Sequence, residues 1–234
     1  MLPIRDDQPR YSTPFVNYFL IALNLLIFLF EATLDRRSLN ALIFQFGVVP
    51  SHLAAFLEGS SRYPLAGIAI PFLTSLFLHG SWMHVIGNMW FLYIFGDNVE
   101  DYLGHFKYLV FYLLTGVLAM TTHVIVNLNS TAPAVGASGA IAGVLGAYFV
   151  LYPRARVLTW FFELLVLFLW LPAWIILGYW FLLQFLNGTA AVLAIHKQNM
   201  GGVAFWAHVG GFISGALLVK VFGERRMRSP YTVE

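Results

Sequence analysis

Six long apolar runs dominate this chain of 234 residues and decide what it can fold into. They lie at about 14–34, 81–97, 107–127, 137–152, 170–187 and 204–222. A helix needs ~20 apolar residues to cross a bilayer, and a soluble domain of this length has no interior large enough to hide six of them. Composition agrees. Hydrophobic residues make up 59% of the chain and charged residues only 10%, with a mean hydropathy of +0.76. That leaves too little charge to clothe a soluble surface. The expected fold is an all-α polytopic membrane protein, a single bundle of six transmembrane helices embedded in a lipid bilayer.

The connectors refine this picture. Residues 35–67 mix Arg36, Arg37, Glu58 and Arg62 with apolar residues, which predicts a long structured loop after the first span. Ile68 to Leu78 reads as an interfacial helix. The stretch 157–187 is interrupted only by Glu163 and Pro172. It divides into an apolar interfacial connector, 157–169, and a fifth span, 170–187; one long tilted helix kinked near Pro172 is the alternative. The run from Phe15 to Phe30 ends in Glu31-Ala32-Thr33-Leu34-Asp35, not in a small-x-small cleavage site, so it is read as a retained span.

Basic residues orient the bundle. With six spans both termini share a side, which collects Arg5, Arg10, Lys107, Arg154, Arg156, Lys220, Arg225, Arg226 and Arg228. The other side holds Arg36, Arg37, Arg62 and Lys197. The positive-inside rule then makes 1–13 and 223–234 cytoplasmic tails of a membrane domain at 14–222 in the cell membrane.

Several classes of chemistry lose support. A formal net charge of +2, without a basic cluster, argues against nucleic acid as a partner. Cysteine is absent, which excludes disulfides, thiolate metal sites and a cysteine nucleophile. No His-Glu-x-x-His occurs, so a zinc protease has no support. No metal or cofactor is expected.

Four polar residues within the spans stand out: His84, Asn88, Ser138 and His208. Polar groups are costly in hydrocarbon, and function is their default reading. His84 and Asn88 are spaced i, i+4 and share one face of the second span. Ser138 opens the fourth span within Gly136-Ala137-Ser138-Gly139, and His208 lies near the start of the sixth. Spans two, four and six run in the same direction, so all four residues sit at similar depth near the outer face. Gly139, Gly143 and Ala147 form a small-residue stripe on span four; Ala207, Gly211 and Gly215 form one on span six. Such stripes let two backbones approach closely. The approach would bring the Ser138 hydroxyl to the His208 imidazole, an activated-nucleophile pair. Free backbone N–H groups at the helix start, with His84 and Asn88, could form an oxyanion hole. No carboxylate is placed to complete a triad, so the reading is a dyad. Taken singly, a glycine-flanked serine is more often packing, and a lone intramembrane histidine is more often a structural hydrogen-bonder or a haem ligand. His52, His79, His105, His123 and His196 read as loop or interface residues.

Taken together, the motifs resemble the rhomboid intramembrane serine proteases over roughly residues 68–222. His79 and Ser81 to Asn88 resemble that family's His-x-x-x-Asn segment. Glu100-Asp101-Tyr102-Leu103-Gly104 resembles its Glu-x-x-x-Gly, and Gly136 to Gly139 its Gly-x-Ser-Gly. Ala207-His208-Val209-Gly210-Gly211-Phe212-Ile213-Ser214-Gly215 resembles Ala-His-x-x-Gly-x-x-x-Gly. The resemblance implies Ser138 as nucleophile, His208 as base, His84 and Asn88 as oxyanion donors, and transmembrane proteins as substrates. An inactive family member that binds and escorts membrane clients is the alternative. Two departures are visible. Ile70-Pro71 stand where many members carry Trp-Arg. Ala142 stands where some carry an aromatic residue that stacks on the histidine, which leaves Trp206 or Phe205 to orient His208.

Overall fold

A computed structural model describes residues 1–60, 62–161, 167–193 and 203–223. Glu163, His196, Lys197 and nearly all of the expected C-terminal tail lie outside the described residues. The described part is mostly helical. In chain order the helices are α1 (Phe15–Glu31), α2 (Arg36–Phe46), α3 (Pro50–Leu57), α4 (Leu65–Thr74), α5 (Trp82–Leu103), α6 (His105–Val126), α7 (Ser138–Leu151), α8 (Ala173–Leu193) and α9 (Phe205–Phe222).

Among the described residues, α6, α8 and α9 are long and apolar enough to cross a membrane. A fourth span results if α4 with its following 3-10 turn and α5, bent by 77°, count as one. The remaining expected spans, α1 and α7, are apolar helices of 17 and 14 residues. The sides of α1 are reversed relative to a soluble helix. Asn17, Leu20, Asn24, Phe28 and Glu31 point inward, while Phe15, Phe19, Leu26 and Phe30 are exposed. A helix that hides amides and shows phenylalanine suits a hydrocarbon surround.

The long loop after α1 is structured, as expected. It folds into α2 and α3, and an isolated bridge from Val48 to Ala134 ties it to the segment preceding α7. The interfacial helix expected at Ile68–Leu78 is α4 plus the turn Ser75–Phe77.

The connector between α7 and α8 is different from expectation. It forms a β-hairpin: β2 (Arg156–Phe161) pairs antiparallel with β3 (Leu167–Pro172). The N-terminal strand β1 (Leu2–Asp6) adds to β2, giving a three-stranded sheet of order β1-β2-β3. Neither a kinked helix nor a plain interfacial segment describes this region. Pro172 ends the strand, and α8 begins at Ala173 in place of the expected 170. A proline lacks the ladder N–H and fits that terminal position.

Glu100 and Gly104 anchor the end of the bundle beside the sheet. Glu100 is fully buried on α5, and its two carboxylate oxygens accept the backbone N–H groups of Val16 (3.0 Å) and Asn17 (2.7 Å). An acid from another helix therefore caps α1, where free N–H groups and the helix dipole favour negative charge. His105 also bonds Glu100. Gly104 turns the chain from α5 to α6 at φ +77°, a conformation that favours glycine.

Candidate active site

The seam between α7 and α9 is built from backbone. A Cβ added at Gly211 would collide with the Gly139 carbonyl oxygen, and one at Gly215 with the Gly143 carbonyl oxygen. Gly146 meets Phe212 in the same way. The stripes on these helices thus act as the spacing predicts: the two backbones touch, with no room for a side chain between them. The contact carries through to the start of α7. A Cβ at Gly139 would stand 3.7 Å from that of Ala207, the residue before His208.

The loop leading into α7 is set by Gly136. Its φ is +130° and its N–H donates to the Ser75 carbonyl at 2.8 Å. A Cβ there would stand 2.7 Å from both Cε1 and Nε2 of His84 and 3.6 Å from the Ser138 Oγ. The imidazole of His84 and the hydroxyl of Ser138 thus flank one small space that glycine leaves open. Ser138 is the first residue of α7. Backbone N–H groups in that first turn lack helical partners.

On α5, Ser81 caps the helix by accepting the His84 N–H at 3.2 Å. One turn on, the Asn88 Nδ2 lies 3.0 Å from the His79 Nε2. An amide nitrogen carries two hydrogens, so this bond leaves one for another acceptor. The rings of His79 and His84 meet edge to face at 5.1 Å.

His79 lies in the loop before α5, as expected, but it is buried, 1% exposed, beneath the site. Its backbone N–H donates to the Glu31 carboxylate at 3.2 Å. An acid at the C-terminal end of α1 therefore does reach the cluster, through His79 and not through His208. The other histidines differ from one another. His52 stacks on Tyr63 in the loop, His105 pairs with Glu100, and His123 lies in the last turn of α6.

His208 is buried, and its two ring nitrogens have different surroundings. Nδ1 lies 2.8 Å from the Oε1 of Gln184 on α8. Nε2 is buried with no hydrogen-bond partner, so the bond to Ser138 is not formed in this state. Catalytic hydrogen bonds are often long or open before substrate arrives. The ring packed on His208 belongs to Trp180, at 5.6 Å and 36°. Neither expected aromatic does this. Trp206 instead donates its Nε1–H to the Gly188 carbonyl and meets Phe185 edge to face.

All four singled-out residues thus come from the N-terminal ends of α5, α7 and α9, and these ends lie together. Gln184 and Trp180 were missed by the sequence reading. Gln184 did leave a signal, as the one amide between Trp174 and Leu186 in an otherwise apolar span.

The Rhomboid domain family matches residues 66–225. The presenilin-associated rhomboid-like protein, mitochondrial, of Mus musculus is 29% identical over 185 residues, covering 75% of this chain and 44% of that relative. Rhomboid protein 1, mitochondrial, of Saccharomyces cerevisiae is 28% identical over 152 residues, covering 63% of the chain and 40% of that protein. Rhomboid-like protein 11, chloroplastic, of Arabidopsis thaliana is 45% identical over 73 residues, 31% of the chain and 26% of the relative. The chain therefore spans less than half the length of each of these three. With the matched domain covering more than half of its length, the chain belongs to the rhomboid family.

Proposed function

We propose that the chain is an intramembrane serine endopeptidase that cleaves transmembrane or juxtamembrane segments of other membrane proteins. The observation that carries this reading is the meeting of Ser138, His84, Asn88 and His208 at one end of three helices, with the His208 Nε2 buried and free. In the reaction, the Ser138 Oγ attacks the substrate carbonyl carbon while Nε2 takes the hydroxyl proton. The carbonyl oxygen becomes an oxyanion, which can accept bonds from the His84 ring, the second Asn88 N–H and the backbone at the start of α7. The intermediate collapses, the C–N bond breaks, and the proton on His208 passes to the leaving amine. Water then enters and gives a proton to Nε2 as it attacks the Ser138 ester; the ester C–O bond breaks, and that proton returns to the Ser138 Oγ, restoring the hydroxyl and the neutral base. Preorganised donors of this kind are each worth ~3–4 kcal/mol on the transition state.

We place both termini on the side marked by the basic residues and the site towards the opposite face. A carbonyl within an intact substrate helix is already hydrogen-bonded, and unwinding it in hydrocarbon costs several kcal/mol for each group left unsatisfied. Good substrates therefore carry glycine, proline or polar residues in the outer part of their span.

A non-catalytic client binder is the competing reading, and the absent Ser138–His208 bond is the observation in its favour. Incubating the purified chain in lipid vesicles with a single-span substrate separates the two. Cleavage by the wild type that disappears in Ser138→Ala and His208→Ala, with thermal stability retained, supports the protease. Binding without cleavage, or cleavage surviving in Ser138→Ala, overturns it.

A further inference from the structure

We infer that Gln184 is the positioning residue of the dyad: its side-chain oxygen holds the His208 ring with the proton on Nδ1 and the lone pair on Nε2. This inference rests on the protease reading above and deepens it.

The Gln184 Oε1 faces Nδ1 at 2.8 Å; with the amide in this orientation its oxygen accepts, which makes Nδ1 the donor. A neutral imidazole has one N–H. With that hydrogen on Nδ1, Nε2 is left as a base, and it is the nitrogen without a partner in a buried setting. The opposite tautomer would place an N–H toward the serine and could not accept its proton. In Ser-His-Asp enzymes a third group performs this selection, and its loss cripples the base through the wrong tautomer. No carboxylate contacts the His208 ring among the described residues, whereas an amide does.

Trp180 completes the support. It lies four residues before Gln184, on the same face of α8. Its ring packs on His208 at 5.6 Å. On the α7 side stands Ala142, whose Cβ a side chain at Gly211 would meet at 3.1 Å. The methyl group of Ala142 offers no ring surface to hold the imidazole. Helix α8 thus supplies from one face both the ring that packs on His208 and the acceptor that fixes its tautomer. Neither residue belongs to the four motifs of α5, α7 and α9.

The test uses the full chain in detergent micelles with 15N-labelled histidine, the His208 signals being those lost in His208→Ala. The wild type should show a neutral ring protonated at Nδ1. Gln184→Met keeps length and apolar packing but removes the acceptor. It should give a mixture of tautomers and a kcat lower by about 10- to 100-fold, with KM changed less than about twofold. Gln184→Glu restores an acceptor oxygen at the same reach and should recover the single tautomer and most of kcat. An Nε2–H tautomer in the wild type overturns the inference without recourse to any variant. So does Gln184→Met with wild-type signals and wild-type kcat. A fixed Nδ1–H tautomer in a wild type that cleaves no single-span substrate overturns the protease reading instead, leaving a Gln184–His208 pair with no base to serve.

Discussion

The two ends of the helix bundle differ in how fully their buried polar groups are paired. At the end near the sheet most partners are found, the Asn98 Oδ1 excepted. Both oxygens of Glu100 accept hydrogen bonds, Asn17 donates to the Leu92 carbonyl and accepts from Tyr108, and Asp101 accepts from Ser12. At the other end, the His208 Nε2, one oxygen of Glu31 and the His79 Nδ1 are buried without partners. An unpaired buried polar atom costs about 1–3 kcal/mol. The paired end reads as construction, which joins α1, α5 and α6. The unpaired end reads as a site that awaits a reacting group.

This contrast can be broken by substitution. The largest effect on folding is expected from Glu100→Ala. It strands the two N–H groups at the start of α1 and should lower stability by about 3 kcal/mol, read as a lower thermal midpoint in detergent. The surviving folded fraction should retain its activity, since Glu100 is at the far end of α5 from His84. Full stability in this variant would remove the structural half of the comparison.

Asn88→Ala should do the reverse. It is expected to lower kcat about a hundredfold while changing KM little, because its free N–H would act on the transition state. Stability should fall by about 1 kcal/mol, less than in Glu100→Ala, because the buried His79 Nε2 loses its partner. A variant that mainly raised KM would make Asn88 a substrate contact, and the unpaired end would lose its catalytic meaning.

The smallest expected effect concerns β1. Burial pushes the Asp6 carboxyl up from its ordinary 3.8 to about 7, and the Tyr148 hydroxyl donates to it. A carboxyl raised in the folded state binds its proton more tightly there than in the unfolded chain. Its stabilisation is therefore full below 3.8 and is lost as pH rises towards about 7. Hydrogen exchange at β1 should be slower at pH 5 than at pH 8 after correction for intrinsic rates. Asp6→Asn should flatten that difference; a difference of unchanged size would assign it to another group.

The helices and the seam were legible in the sequence for physical reasons. Apolar length marks a span, and glycine at every fourth position marks a close helix contact, so the approach of Gly139 to Gly211 could be read in advance. The same-depth argument for His84, Ser138 and His208 needed only the order of spans. The sheet was not legible. Residues Arg156–Phe161 and Leu167–Pro172 show no clean alternation of apolar and polar residues, and a short apolar run does not distinguish strand from helix. Its third strand comes from the opposite end of the chain, where Leu2 pairs with Trp160. The burial of His79 was not legible, because a histidine in the loop before a helix looks exposed until Glu31 and Asn88 are seen around it. Gln184 was passed over because it lies outside every motif, although an amide three residues before Asn187 in an apolar span is itself a signal.

On the proposed reading, Ser138 is a nucleophile activated by His208. The most direct measurement is covalent labelling of the full chain in lipid vesicles with a fluorophosphonate, followed by mass spectrometry of the modified peptide. One adduct is expected, on Ser138, formed by the wild type and lost in His208→Ala. Labelling of Ser138 at the same rate without His208, or an adduct on another residue with Ser138 untouched, would contradict that reading.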